Sequence, residues 1–520
     1  MPETPPVYEP RPAKKSTLSC HWKLAVCTAA GIATVTAGVT LADREANPPA
    51  TQASPATSDS PADHGGATTP TSAGENGDVA YWAEHAGNHG SPREEGTEGK
   101  HPGAHDGKGE EDDSGHEDSD GKHDGGHEHE GGHDKTHVDC DPNDLIQAVT
   151  AANQLRGPDH LTLAGNCTYT LTTNQDGNGF PVITQPITID GNGATLARAA
   201  NAADFRFFEV GAGGDLKLRN LTLTRGKAPE GEDGGAILVR PAGRLDLKDT
   251  EFTHNSVTEG EGGALYNEGV ATIRQSTLSR NSASDEAEGG AITNEGDLNI
   301  SQSTISHNTA SGAVGGGISN ETTMRIGKSL ISHNFSSDQG GGIQTDGLAE
   351  IEQSTLSHNT ARSGGGIHHG SSEGTGALYA RGNTISGNTA TESGGGLHAE
   401  LSAVIEDNDI KDNRAVSGNG GGVEIESIDF DLEVAIRDSK VSGNQAPAGV
   451  GGGIIIDADP LVAADLALTD VKVTRNLSDE PAGGIHNDGG TVTTYGRIHI
   501  VDNVPTNCAG SPSPVPHCFG

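Results

Sequence analysis

Asp407, Asp409 and Asp412 are the closest approach to a clustered-acid motif in the repetitive part of this chain, within Asp407-Asn408-Asp409-Ile410-Lys411-Asp412-Asn413. Two positions apart on a strand, Asp407 and Asp409 share a face, where they would pair as acid and base or hold calcium. The plainer reading is a solvated surface with turn-forming Asp and Asn. His254, His307, His333 and His358 hold one equivalent position in four of five successive repeats, with Arg280 in the second. Imidazoles so aligned bind metal or sense pH, unless the position is simply a polar turn. A third constellation, His123, His127, His129 and His133, alternates with Asp, Glu and Gly. Imidazole and carboxylate at such spacing suit loosely bound Zn, Ni or Cu, and the same stretch also reads as plain solvating linker. No motif demands a cofactor.

What positions these residues is a repeat. A Gly-Gly-small-aliphatic unit ends in Ile237, Leu265, Ile292, Ile318, Ile343, Ile367, Leu397, Val423, Ile454 and Ile485, at spacings of 24 to 31 residues. Between these units an aliphatic or Phe residue, two further positions and an Asn recur. Their asparagines are Asn255, Asn281, Asn308, Asn334, Asn359, Asn388, Asn413, Asn444, Asn476 and Asn503. Such a period marks a solenoid, in which no repeat buries its apolar face alone.

Between the markers apolar and polar residues alternate, as in Leu245-Asp246-Leu247 and Leu298-Asn299-Ile300. Period two means short strands with one face buried, and the absence of a helical period excludes a helical solenoid. The fold class expected is all-β: a right-handed parallel β-helix, a single-stranded solenoid over 138–503. Glycine supplies corner conformations and lets coils approach. The ten asparagines should stack as a structural ladder, each amide bonding to the next coil.

A rod of stacked coils has open ends that need caps. Asp141-Pro142-Asn143-Asp144 before Leu145, Ile146, Val149 and Ala152 predicts a short N-terminal capping helix. Cys140 and Cys167 flank it, while Cys508 and Cys518 close a Pro-rich C-terminal cap over 504–520. The rod keeps the two pairs apart, so the expected disulfides are Cys140–Cys167 and Cys508–Cys518.

Ahead of the repeats, basic residues precede an apolar run from Leu24 to Ala42, so 1–43 reads as a signal peptide or N-terminal membrane anchor. Residues 44–137 read as a disordered linker, Pro-, Ser- and Thr-rich and then rich in His, Asp, Glu and Gly. The chain should therefore be secreted or held at the cell surface, touching membrane only through that N-terminal segment. With 33 basic against 73 acidic residues, a net charge of −40, nucleic acid is excluded as a partner.

The paired Gly-Gly-Ala-Ile and Phe-x-x-Asn units resemble the repeats of polymorphic outer-membrane proteins. The domain more broadly resembles the pectate-lyase-like superfamily, and Pro186-Ile187-Thr188-Ile189-Asp190-Gly191-Asn192-Gly193 is similar to the opening coil of such domains. Only Phe252 carries the Phe of the first family. No translocator barrel follows Asn503, which sets an autotransporter route aside. The resemblance implies adhesion or surface display, with an extracellular glycan, wall polymer or surface protein as partner. The other implied activity is a polysaccharide lyase or glycoside hydrolase working in a lateral groove, but such grooves usually offer aromatic platforms, and the repeats have no Trp.

Overall fold

The structure, a computed structural model, describes residues 136–370, 375–428 and 430–520. The expected signal or anchor over 1–43 and nearly all of the 44–137 segment, with His123, His127, His129 and His133, lie outside the described residues. No helix among the described residues is long and apolar enough to cross a membrane.

Alternation of inward apolar and outward polar residues builds a solenoid whose strands pair in parallel with their counterparts one coil on. Leu265–Asn267, for instance, lies between Ile237–Val239 and Ile292–Asn294. The strands form three sheets of 24, 11 and nine members, called here the long, groove and short sheets. Inward residues such as Leu247, Ile273, Ile300 and Ile326 stack along the axis in one continuous core. In the first coils single strands such as Arg244–Thr253 span the long sheet; further on it divides, as in Val270–Arg274 and Thr277–Ser279. The division is a corner at which a left-handed residue such as Gln275 (φ 52°) precedes a buried Ser276.

The ten expected asparagines are stacked at another corner. Each Nδ2 from Asn255 to Asn476 donates to the Oδ1 of the Asn one coil on, at 2.9–3.1 Å. The same Oδ1 also accepts the preceding coil's Asn backbone N–H, as Asn359 Oδ1 does from Asn334. Asn503 closes the stack on Asn507. The residue just before each ladder Asn turns the chain in the left-handed region, with φ between 55° and 69° in all ten coils. Asn ladder and left-handed corner thus form one motif.

Both ends are closed. The helix Pro142–Gln154 starts at Asp141, whose side chain accepts from the Asn143 N–H, and it buries Leu145, Val149 and Ala152 over the first coil. Cys140 is bonded to Cys167 and Cys508 to Cys518. At the far end Cys508, Val515 and Cys518 pack on the core without forming a helix. The regular structure begins before residue 138: Thr136–Val138 pairs in parallel with Leu161–Leu163. Only Val138 of that strand faces inward, so its His-rich start carries no apolar alternation.

Candidate functional site

The acidic triplet does not assemble as expected. Asp407 is an exposed left-handed corner residue (φ 57°), and Asn408 behind it is buried. The strand starts only at Asp409, so the two carboxylates do not sit on one strand face. Period two was carried through a corner, which is where it fails. Asp409 is paired with Lys411 and Lys440, while Asp412 is another exposed corner residue. The structure gives this triplet neither a shared acid–base geometry nor a cation cage.

The histidine column does stack. His307, His333 and His358 lie face to face, with ring centroids 4.9 and 5.0 Å apart, on the exposed side of the Asn ladder. All four histidines and Arg280 occupy the left-handed corner, which explains why Gly387 and Gly443 replace them later. Partial burial, then the neighbouring His307 and His358, lower the pKa of His333.

A site missed in the sequence lies on the outer face of the groove sheet. In each coil the aliphatic residue ending the Gly-Gly unit points inward, the next outward, the third inward and the fourth outward. The fourth position is Arg240, Glu268, Glu295, Glu321, Asp346, Gly370, Glu400, Glu426, Asp457 and Asp488 in successive coils. Eight of these ten are acidic, one per coil at about 4.8 Å spacing. Asp233, Glu261 and Glu288, from the turns before the strands, line the other side of this track. Within it oxygens of Glu261, Glu295 and Glu321 come within 4.8 Å of one another. Glu295 accepts a hydrogen bond from the Tyr266 hydroxyl, and Glu288 accepts one from Ser319.

Crowded carboxylates out of water resist ionisation. Burial, then Glu288, Glu295, Glu321 and Asp233, push Glu261 up to about 8. Glu321, at the exposed rim of the track, is lifted to about 7 by partial desolvation and by Glu295, Glu288 and Asp346. Asp346 is lifted to about 6, chiefly by burial. The track is thus poised to receive positive charge, whether a proton, a cation or a cationic ligand.

Further along, the second, outward position carries His368, His398 and Glu424, all almost fully buried. Burial pushes the His398 imidazole down, but Glu424, Glu426 and Glu400 outweigh it and lift it to about 9. His368, with its imidazole pKa lowered by burial, has no hydrogen-bond partner on either nitrogen.

On the long sheet, Tyr379, Val404, Ala435 and Ala467 align along one row. They line a shallow depression of about 440 Å³, with Tyr379 48% exposed. A sugar ring could stack on that tyrosine, but no buried acid or base stands among the residues lining it.

Residues 208–376 match the family described as right handed beta helix region, and the parallel coils seen here are of that kind. No curated protein matches the chain. Among solved structures it is similar to the A-module of the Azotobacter vinelandii mannuronan C-5 epimerase, at 12% identity and a TM-score of 0.41, over 68% of this chain and 95% of that one. It is similar to tailspike protein 3 of bacteriophage CBA120, at 12% identity and a TM-score of 0.39, over 72% of this chain and 59% of that one. It is also similar to PfbA, a surface adhesin of Streptococcus pneumoniae, at 10% identity and a TM-score of 0.32, over 70% and 90%. None of the three bears on which residues of this chain act.

Proposed function

We propose that this chain is an extracellular binding module that takes an extended ligand lengthwise in the acidic track of the groove sheet. One observation carries the reading: outward carboxylates recur coil after coil on one face, several of them held above their ordinary pKa by burial and each other. Such a track gains most from ligands bearing ammonium or guanidinium groups, or from an anionic polymer bridged by calcium. A glycan, wall polymer or surface protein of that character is the partner. Two disulfides fit an oxidising, extracellular setting, with the chain secreted or displayed at the cell surface.

The test is retention of the full-length chain on immobilised polymers: an amino-sugar polymer, a neutral glycan, a uronate polymer with and without calcium, and a Lys-rich protein. The reading expects retention on a cationic polymer, or on the uronate only with calcium. A Glu261→Gln/Glu321→Gln variant should lose about tenfold or more in affinity, each lost charge contact being worth about 1 kcal/mol. Retention of nothing, or retention indifferent to that variant, overturns it.

A second reading rests on the Glu261, Glu295 and Glu321 cluster. A carboxyl held protonated near neutral pH, as Glu261 is, with a second carboxyl beside it is an arrangement suited to cleaving a glycosidic bond. Release of oligosaccharides from the same panel, abolished by Glu295→Gln, would put this chain among glycan-cleaving enzymes.

A further inference from the structure

We infer that His368, His398 and Glu400 form a binding site for a divalent transition metal ion of the zinc class. The site lies in the groove but does not depend on what the groove binds. His368 Nε2 lies 3.3 Å from Glu400 Oε1, and His398 Nε2 lies 3.7 Å from the same oxygen. Ligands at the corners of a tetrahedron around an ion, each bonded at about 2.05 Å, are separated by about 3.3 Å. The donor atoms therefore already stand close to the spacing that an ion imposes. Glu426 Oε2 lies 3.0 Å from His398 Nε2 but outside the cluster that the other three donors make, so solvent would take the fourth corner. Behind His398, the Nδ1 faces Glu424 Oε2 at 4.0 Å, which stands on the side from which a carboxylate would orient a ligating imidazole.

Two observations separate this from an ordinary ion-pair cluster. His368 is 1% exposed, yet its Nδ1 and Nε2 have no hydrogen-bond partner, nor does the buried Glu424 Oε2. A buried orphan polar group costs about 1–3 kcal/mol, and a bound ion removes much of that cost. The other is Gly370. In a column where the neighbouring coils carry Asp346 and Glu400, this coil carries no side chain. A Cβ there would collide with the Glu400 carboxylate, so the glycine leaves the space through which Glu400 leans toward His368. Two imidazole nitrogens with carboxylate oxygens favour Zn(II) over calcium, which takes oxygen ligands.

The test uses the full-length chain, stripped with chelator and titrated with Zn(II) alone, and with Co(II) for its visible spectrum. The expected result is one tight equivalent, with tetrahedral Co(II) bands, above any weak uptake by the linker. His398→Ala should weaken that equivalent at least about 100-fold, and Gly370→Ala about tenfold, since its Cβ would displace the Glu400 carboxylate and press on the His368 ring. Replacing His123, His127, His129 and His133 together by Ala should leave it intact. Should His398→Ala fail to fold, Glu400→Gln and Gly370→Ala decide the matter, with the metal-free melting temperature as control. A stripped protein with no tight equivalent, one that survives these groove substitutions, or one that disappears with the linker histidines overturns the assignment.

Discussion

Among the buried polar stacks of this solenoid two contrast, the asparagines of the corner ladder and the histidines and glutamates of the groove. In the ladder every interior Asn is saturated: its Oδ1 accepts two N–H groups, and its Nδ2 donates to the next Oδ1 and to a backbone carbonyl. In the groove His368 makes no hydrogen bond and faces only the Glu400 carboxylate at 3.3 Å, and His398 is surrounded by three carboxylates. A saturated stack can repeat without limit, because each member meets the needs of its neighbour. An unsaturated one occurs at one place, breaks the repeat, and is stable only at a cost. That contrast separates residues that build the rod from residues that act on something outside it.

The largest effect should come from cutting the saturated stack. Asn359→Leu would strand the Asn334 backbone N–H and one of its two Nδ2 hydrogens in the interior, and should cost about 3 kcal/mol or more. A much smaller effect is expected of His368→Leu in metal-free protein, because it removes a buried imidazole that makes no hydrogen bond and only faces Glu400. Leu238 and Ile455 hold the same position in other coils and are buried there. The lost Glu400 contact offsets the gain of burying an apolar side chain, and stability should change by less than about 1 kcal/mol. Urea unfolding of both variants with chelator present measures the pair; equal losses would erase the distinction.

The next effect is electrostatic and smaller. A carboxyl whose folded pKa is raised binds more protons folded than unfolded at pH values between the two. The stability this confers is fully present below the unfolded value of about 4.3 and is lost as pH rises through the folded value. For Glu321 and Glu261 that loss runs up through about 7 and about 8. Asp233, Glu288 and Glu295 add repulsion once Glu261 ionises. The urea midpoint should therefore fall from pH 7 to pH 9, and Glu261→Gln should flatten the slope. A midpoint independent of pH in that window would mean that the track is better solvated than its packing implies.

The ladder was legible in the sequence because residue type, neighbours and spacing repeat together ten times. The capping helix was legible too, since Asp141, Pro142 and the Leu145–Val149–Ala152 stripe are local signals. The Asp407 reading failed because a corner looks like a strand when only alternation is considered. The sign of the corner was present, in the recurring Gln275-Ser276, Gln302-Ser303 and Gln353-Ser354 pairs. Their hydroxyls form a further stack, which passes through Ser329, Asn383 and Asn408. The groove was missed because its carboxylates are separated by about a coil length in sequence and never cluster locally. Counting one and three positions beyond each aliphatic marker would have aligned His368 with His398, and Glu268 with Glu295 and Glu321. Chemistry on a solenoid is written across repeats, at one phase, and a search for short motifs cannot see it.

The smallest effect belongs to the exposed column of His307, His333 and His358, which looks most like a site and sits on the ladder's outer side. A non-glycine residue in the left-handed region costs about 1 kcal/mol, so His333→Gly relieves strain at φ 56°. It also loosens the unfolded chain by a similar amount and removes two ring stacks. These terms nearly cancel, and stability should change by less than about 1 kcal/mol. Metal uptake at the groove should not change at all. If His333→Gly instead removed a bound ion or a pH response of ligand retention, the stacked histidines would join the functional half of the comparison. A null result leaves them as corner residues, held in register by the asparagines beneath.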